Sequence, residues 1–579
     1  MNLLGDIEEK TGIVTSRVFI EGSEVSTLYG VQSIGITNAC NRIPTAILTI
    51  IDGSPADQDF KASSDAIFEP GKAIEIKAGY QGIEATVFKG IIIKQAIKIT
   101  KKNSVLIVTC KDDAFTMTLG KKNNIFYDAT DSDAIEKLIN DAGLTPNVIA
   151  TTFTHHELVQ YQSTDWDFMM SRAQVNGAIC TISDGTIHIQ KPVLNDTEVM
   201  TATFGSSIFS FDAEIDARHQ YQSYEANSWD YSNQEIISTT ATNAGQISTG
   251  NLTESSLAKA AGNHTTRLDH SGNISSEVLQ TWVDSKSTLQ QLAMIRGTLQ
   301  VQGNKALKAG VLIKLEGVGD RFNGKVFVGG VHHTITEGNW FTNVQIGLDP
   351  DWFTEQYDIS ALPASGMLPA ISGLQIGVVT ALEGDPDSEH RIKVKVPIIN
   401  TNEEGVWARV LSLYAGENYG VQFLPEIGNE VLLGFLNDDP TQAVVLGAMY
   451  SNTHTAPIEF TDDNFEKIIM GNSEIKILLN DDTKTITLET PAGKSIMLDE
   501  DEGIIKLEDD NNNIVTLNSD GISLESGGDI TLKATGDVTI EGNNIEAKAN
   551  MNFKAEGSAG IEVSSSATAV LKGSLVQIN

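Results

Sequence analysis

Cysteine is scarce in this sequence, which excludes a fold stabilised by disulfide bonds. The chain has 579 residues and three cysteines, Cys40, Cys110 and Cys180. Each stands alone in an apolar, strand-like stretch, so no closed disulfide framework can form. We therefore expect three buried free thiols.

Basic residues are also few. The chain has 40 lysines and arginines against 76 aspartates and glutamates, a formal net charge of −36. Such a surface repels phosphate backbones and anionic lipid headgroups. This excludes nucleic acid as a stable partner and leaves only transient contact with a membrane.

Long hydrophobic runs are missing too. No apolar stretch approaches the roughly 18–20 residues that span a bilayer. The first residues, Met1–Gly12, carry three acidic residues and one lysine, and they lack the basic and apolar segments of a secretory signal. We expect synthesis in the cytoplasm without a signal peptide.

Motifs of enzyme active sites are absent or incomplete. His156-Glu157 begins a zinc-protease pattern, but Gln160 occupies the position of the second histidine. Residues 491–495, PAGKS, resemble the end of a phosphate-binding loop, but Leu488 stands where its first glycine belongs. The sequence predicts no catalytic residue, no cofactor and no metal ligand.

The first two hundred or so residues combine strands with two helices. Strand patterns cover residues 13–110, and helices are predicted after the capping residues Thr130 and Thr164. An Asp184-Gly185 pair predicts a tight hairpin turn. This is the pattern of an α+β fold.

The middle of the chain changes composition several times. Residues 223–273 are rich in Ser, Thr and Asn and predict a long loop, and a third helix is expected from Glu277 to about Arg296. A Pro- and Gly-containing linker follows at 361–373. Residues 374–455 show short strands with glycines at the corners, which predicts a small closed barrel.

The C-terminal region repeats a short motif in which two β-forming residues flank one polar residue. Between Gly471 and Asn579 it has one aromatic residue and one proline, and the repeats are 7 to 10 residues apart. The paired apolar residues are Ile486 and Leu488, Ile496 and Leu498, Ile505 and Leu507, Val515 and Leu517, Ile522 and Leu524, Ile530 and Leu532, and Val538 and Ile540.

Each repeat predicts one short strand whose two apolar side chains share a face. Two such side chains per strand cannot enclose a core within one chain. We therefore expect a homotrimer, in which three chains form an intertwined triple-stranded β-helix with these residues along the axis. Aromatic rings are too large for that axis. A single-chain β-solenoid or a fibre repeat is the alternative.

Four stretches of the sequence resemble one known family. They are 161–168 (YQSTDWDF) with Arg172 and Gly177; 211–230; 322–340; and 377–447, which includes Trp407-Ala408-Arg409 and Pro425–Val431. The sequence resembles the VgrG spike proteins of type VI secretion systems and the related hub-and-spike proteins of contractile phages and extracellular contractile injection systems. The last stretch is similar to that family's oligosaccharide-binding-fold (OB-fold) barrel.

The resemblance implies a trimeric hub and membrane-puncturing spike rather than an enzyme. Two barrel-like hub domains per chain would give the trimer pseudo-sixfold symmetry, with which it seats on a hexameric inner tube within the baseplate. A PAAR-type protein would cap the needle at Leu575, Val576, Ile578 and Asn579. Effectors would be separate cargo, and the apparatus would expel the spike from a bacterial cell.

Pattern and resemblance together predict a mainly β protein with an α+β hub. The expected domains are hub barrel domain 1 (1–120), an α+β hub domain (121–205), hub barrel domain 2 with a helix (206–360), the linker (361–373), the OB-fold barrel (374–455) and the β-helix spike (456–579). We expect no catalytic domain at the junction after the barrel or after the repeat, because both places are too short for one.

Two other functions compete with the spike. A trimeric tail-fibre adhesin would share the repeat but would more often end in a bulky receptor-binding head. A polysaccharide-degrading enzyme with a β-solenoid groove would need aromatic platforms for sugars, which the repeat lacks.

Overall fold

The computed structural model describes residues 12–242 and 249–578. The chain divides into two compact units, Met1–Ala370 and Ile371–Asn579.

The first unit opens with strands that cover an aliphatic core. Strands β1 to β7 span Val14–Ile20, Ser23–Glu24, Val31–Ala39, Thr45–Ile51, Ala73–Tyr80, Ile83–Ile99 and Ser104–Lys111. Alternate residues face the core, as in β4, where Ala46, Leu48 and Ile50 are fully buried. The strands predicted over 13–110 are confirmed.

An α+β segment follows, and its local signals form as predicted. It comprises β8 (Lys122–Thr130), α1 (Asp131–Asp141), β9 (Thr145–Val148), β10 (Thr154–Ser163), α2 (Asp165–Val175), β11 (Ile179–Ser183) and β12 (Thr186–Gln190). Thr130 and Asp133 form a capping box at α1, and Thr164 caps α2. Asp184 and Gly185, with φ of 52° and 75°, make the turn between β11 and β12.

The stretch predicted to be a long loop, 223–273, contains ordered elements, so that prediction is wrong. In chain order the structure has β13 (Thr201–Thr203), β14 (Ile208–Ile215), β15 (Ser223–Asp230), β16 (Glu235–Thr240), α3 (Glu254–Ala260), β17 (Thr265–His270) and α4 (Ser276–Leu292). Tyr224 and Ala226 of β15 are buried against Leu279 and Val283 of α4. Ser223, Glu225 and Asn227, which alternate with the buried residues, are polar and only partly buried, which gives the segment a loop-like composition.

The remaining strands of this unit complete one large sheet. They are β18 (Ile295–Gln302), β19 (Leu312–Glu316), β20 (Gly324–Thr336) and β21 (Asn339–Ile346), followed by the short α5 (Phe353–Gln356). The 13-stranded sheet runs β14-β18-β21-β20-β3-β4-β7-β6-β5-β1-β2, with β19 pairing β20 and β13 pairing β19. The two regions expected to form separate hub barrels therefore share one continuous sheet through β3 and β20.

The second unit begins with a closed five-stranded barrel, as predicted from its glycine-punctuated strands. Its elements are β22 (Gln375–Ala381), β23 (Ile392–Lys395), β24 (Val406–Val410), β25 (Ala415–Gly416), β26 (Tyr419–Gly420), β27 (Glu430–Phe435) and β28 (Ala443–Ala448). The barrel closes in the order β22-β23-β24-β28-β27, and β25 and β26 form a separate small hairpin. Val379, Val394, Ala408, Val431 and Leu433 fill its core.

A seven-stranded sheet follows the barrel. It consists of β29 (Glu466–Met470), β30 (Lys476–Asn480), β31 (Thr485–Glu489), β32 (Ser495–Asp499), β33 (Ile504–Glu508), β34 (Ile514–Asn518) and β35 (Gly521–Glu525). Each strand pairs antiparallel with the next one in sequence. The described residues 526–578 form no strand.

The cysteines are buried and free, as predicted. Burial raises the pKa of Cys40 to about 12. Within the described ranges, no helix is both long enough and apolar enough to cross a bilayer. The prediction of a missing signal peptide concerns mainly residues 1–11, which lie outside the described residues.

Candidate functional site

The C-terminal sheet carries two ladders of apolar side chains on one face. Residues directly opposite each other on neighbouring strands are apolar from β30 to β35. Ladder A consists of Leu479, Ile486, Leu498, Ile505, Leu517 and Ile522; ladder B consists of Ile477, Leu488, Ile496, Leu507, Val515 and Leu524. With strands about 4.8 Å apart, each ladder is on the order of 24 Å long.

In the part of the chain that the structure describes, the ladder side chains remain partly exposed. The ladder residues of β31, β32 and β33 are each 40–41% exposed. Ladder B lines an open groove of about 820 Å³. Contiguous apolar faces of this kind are rare on monomeric proteins, where they mark surfaces that bind another molecule.

Ten of the fourteen residues predicted for the needle core lie in the ladders, from Ile486 to Leu524. The other four, Ile530, Leu532, Val538 and Ile540, lie beyond the last strand and are 58–74% exposed. Ile530 borders the groove beside ladder B. The four are not brought together into a ladder.

The sheet differs from the wound helix expected from the repeat. Over residues 466–525 each strand finds its hydrogen-bonding partner in the same chain. The inner strands β30 to β34 are thus paired on both sides without a second chain, whereas the apolar side chains of this face remain about 40% exposed in β31 to β33. Strand length and the two-residue apolar pattern follow the prediction, but the pairing within one chain does not.

The residues predicted to contact a cap are exposed where they are described. Leu575, Val576 and Ile578 are 82%, 45% and 87% exposed. Asn579 lies outside the described residues.

Sequence reasoning missed the first members of the ladders. Ile477 and Leu479 occupy the same i, i+2 positions as the later pairs, and Ile469 of β29 lies opposite Ile477. The signal was present, because Ile477 precedes Ile486 by nine residues, the spacing of the repeat.

Charged side chains border the ladders. Lys476 pairs with Glu489 and Lys494 with Asp510, each at 3.0 Å, and Lys484 pairs with Asp501 at 2.5 Å. Exposed pairs of this kind contribute little to stability. An apolar centre inside a charged border is the usual anatomy of a protein–protein interface.

The main ionic cluster of the first unit is structural. Arg172 on α2 donates to both carboxylate oxygens of Asp131, at 2.6 and 3.0 Å, and Asn176 donates to Asp131 at 2.9 Å. Burial raises the pKa of Asp131, but the Arg172 guanidinium outweighs it and holds this pKa below its usual value. Both oxygens are occupied, so this carboxylate fixes α2 against the start of α1.

The described residues contain no group of three or more His, Cys, Asp or Glu side chains arranged to hold a metal ion. The adjacent histidines differ in environment, since His333 is buried and His332 is exposed.

Two families match the chain. The family described as Alg8 N-terminal domain matches residues 10–337, more than half of the chain. The family described as type VI secretion system/phage-baseplate injector OB domain matches residues 375–450, which form the closed barrel. The spike protein VgrG3 of Vibrio cholerae is 33% identical over 108 residues, 17% of this chain and 11% of that protein. The chain belongs to the Alg8 N-terminal domain family. Over shorter stretches it is similar to the injector OB domain and to VgrG spike proteins.

Other relatives match over limited lengths. The spike protein VgrG1a of Pseudomonas aeruginosa is 28% identical over 169 residues, 27% of this chain. The chain spans only 26% of VgrG1a and 11% of VgrG3. The solved c3393 protein of E. coli, a component of the type VI secretion system, is 12% identical with a TM-score of 0.38 and covers 75% of this chain and 99% of its own. A TM-score this low supports no conclusion about the fold, and the family membership rests on the sequence matches alone.

Proposed function

We propose that this VgrG-type chain is the hub and membrane-puncturing spike at the tip of a contractile injection apparatus. Three copies join through the ladders of their C-terminal sheets and form a needle. The apparatus supplies the energy when it contracts, and the needle contributes stiffness and a narrow tip. The match of the barrel to the injector OB domain and the similarity to named spike proteins support this proposal.

The observation that carries the proposal is the uncovered apolar face. Ladders A and B present twelve aliphatic side chains on one side of a sheet whose backbone is already paired. Because about 40% of each side chain in β31 to β33 is exposed, covering one of them contributes roughly 0.6–1.2 kcal/mol. Three copies with their ladders turned inward cover all of these side chains at once, and the closed threefold arrangement leaves no apolar face free for further growth.

Beyond β35 we propose that the chains pair with one another. Residues 526–578 continue the alternating pattern, with Ile530, Leu532, Val538 and Ile540 in it. A lone short strand has no ladder of hydrogen bonds, so strands of neighbouring copies would supply them. The core of the needle then continues from the three sheets into an intertwined triple-stranded β-helix.

The partners follow from the family resemblance. The hub seats on a hexameric inner tube within the baseplate, and a PAAR-type protein caps the needle at Leu575, Val576, Ile578 and Asn579. Effectors travel as separate cargo. The assembled spike forms in the bacterial cytoplasm and leaves the cell when the apparatus fires.

The work of this chain is mechanical rather than catalytic. The one buried carboxylate cluster described above, around Asp131, is held in bidentate contact with Arg172. Binding and piercing need rigidity, which closely packed sheets provide.

Cryo-electron microscopy of injection particles purified from producing cells tests the assignment. An affinity tag inserted in the exposed turn at Gly384 marks the chain. We expect threefold density for the tagged chain at one end of the inner tube. Density along the shaft, or on lateral fibres, would overturn the proposal.

A further inference from the structure

A short arm on the barrel presents apolar side chains to solvent. Residues 411–427 lie in the connection between β24 and β27 and include the hairpin of β25 and β26; we call this segment the barrel arm. Eight of its large apolar side chains are 36–95% exposed: Leu411, Leu413, Tyr414, Tyr419, Val421, Phe423, Leu424 and Ile427.

The barrel arm has a defined conformation. The rings of Tyr414 and Tyr419 lie 5.3 Å apart, and the backbone N–H of Val421 donates to the carbonyl of Tyr414 at 2.8 Å. A Cβ at Gly416 would lie 2.2 Å from the Tyr419 ring, so only glycine permits this arrangement. A shaped apolar surface that the chain itself leaves open is suited to contact another protein surface.

The outer face of β23 and β24 complements the arm in charge. The four basic residues of the barrel lie on or just before these strands, in a segment (374–450) that also holds eleven acidic residues. Arg391 pairs with Asp385 and Lys393 with Glu404. Among the described residues, no hydrogen-bonding or ionic partner is found for the side chains of Lys395 and Arg409, nor for the carboxylates of Glu417 and Glu426 on the arm.

We propose that the barrel arm of one copy docks on the β23–β24 face of the next copy, with Glu417 beside Arg409. The inference rests on the trimer of the proposed function. A second copy of this chain is the occupant because both halves of the contact, apolar arm and basic face, belong to the same unit as the ladders. Two different surfaces meet, so the contact is head-to-tail and closes into a ring of three.

Crosslinking across the contact tests this directly. Arg409 and Glu417 are exposed, and the three native cysteines are buried, so new cysteines at these positions would be the reactive ones. We expect the Arg409→Cys/Glu417→Cys chain, treated with a short bismaleimide, to run as covalent dimers and trimers in SDS. The control chain Glu383→Cys/Glu417→Cys places the first thiol in an exposed turn outside the basic face and should stay monomeric in SDS.

To exclude a link within one chain, single-cysteine chains carrying different tags are co-expressed, so that both assemble into the same trimers. Only the pair of Arg409→Cys with Glu417→Cys should give a crosslinked species that carries both tags. If sedimentation shows a trimer but the double variant does not crosslink between chains, the docking inference is wrong and the trimer stands. If the wild-type chain sediments as a monomer, the proposed function itself fails.

Charge reversal gives an independent measurement. Arg409→Glu or Glu417→Arg alone should speed dissociation of the trimer by about tenfold, because like charges then meet at the contact. A chain carrying both changes should recover most of the wild-type rate. Equal and additive losses in the double variant would contradict the pairing of these two residues.

Discussion

Leu488 of β31 lies directly opposite Ile496 of β32, and the two are 40% and 41% exposed. A cross-strand pair of this kind on one side of a sheet normally faces a core. Here the strands pair within one chain, but no described part of that chain packs over this face to form a core. The pair therefore defines where other chains must bind if the protein is to bury its apolar surface.

The ladder face should not tolerate charge. We expect Leu488→Asp to destabilise the trimer strongly, because each of three copies loses roughly 1.5–3 kcal/mol of apolar burial and three carboxylates approach one axis. Thr487→Asp, on the adjacent residue of the same strand, points to the opposite face and should change little. Thermal unfolding of both variants, followed with sedimentation velocity, checks this.

A matched pair of substitutions can also be made beyond β35, at two neighbouring residues. Ile530→Asp should weaken the assembly, whereas Thr531→Asp should leave it nearly unchanged if Ile530 faces the needle axis. Equal losses of melting temperature in the two variants would contradict the proposed course of residues 526–578.

Removing one partner of the Arg172–Asp131 ion pair should strongly lower the stability of the first unit. Arg172→Met leaves Asp131 buried without its guanidinium partner, and we expect a loss of about 3–5 kcal/mol in the free energy of unfolding. Lys137→Met breaks the exposed pair with Asp141, at 2.8 Å, and should cost under about 0.5 kcal/mol. Urea unfolding at neutral pH measures both variants, and equal losses would argue against a structural role for Asp131.

His333 should make the first unit sensitive to acid. Its Nδ1 accepts a hydrogen bond from Trp340 Nε1 at 3.3 Å, and burial lowers the pKa of His333 to about 4. An unfolded histidine has a pKa near 6.5. Between these values the unfolded state binds more protons, so the free energy of unfolding falls as the pH falls, by up to about 3 kcal/mol from this group.

Denaturant unfolding at several pH values between 4 and 7 tests this prediction, with the fluorescence of buried tryptophans as the signal. His333→Gln should reduce the slope of stability against pH across that window. His332→Gln, the exposed neighbour, is the control and should keep the wild-type slope. An unchanged slope in the His333 variant would show that another group dominates.

The end of the needle should be needed for its cap but not for its assembly. We expect deletion of residues 575–579 to leave a folded trimer that no longer co-purifies with a PAAR-type protein. The contact is apolar, so the wild-type complex should persist at high salt. A truncated trimer that holds the cap as well as the full chain would refute this placement.

Local signals predicted much of the fold. The capping residues Thr130 and Thr164 and the Asp184-Gly185 turn act within a few residues of chain, so the sequence alone was sufficient to place them. The stretch 223–273 was misjudged because Tyr224 and Ala226 become buried only when α4 packs on them. Because that contact joins residues far apart in sequence, it cannot be predicted from a local sequence pattern.

For the candidate site, spacing predicted which residues share a face but not how the strands pair. The i, i+2 pattern of Ile486 and Leu488 holds for a strand of any sheet. Whether a neighbouring strand comes from the same chain depends on turn geometry, such as Gly493 with φ of 83° between β31 and β32. The continuous sheet through β3 and β20 could not be predicted from local sequence patterns either, because it pairs residues about 300 positions apart in the sequence.

The central claim is that the ladders are closed by further copies of the chain. Sedimentation equilibrium of the purified full-length protein at micromolar concentration tests it most directly. The account predicts a mass three times the 62.3 kDa of one chain, unchanged on dilution. A mass of 62.3 kDa at these concentrations would contradict it.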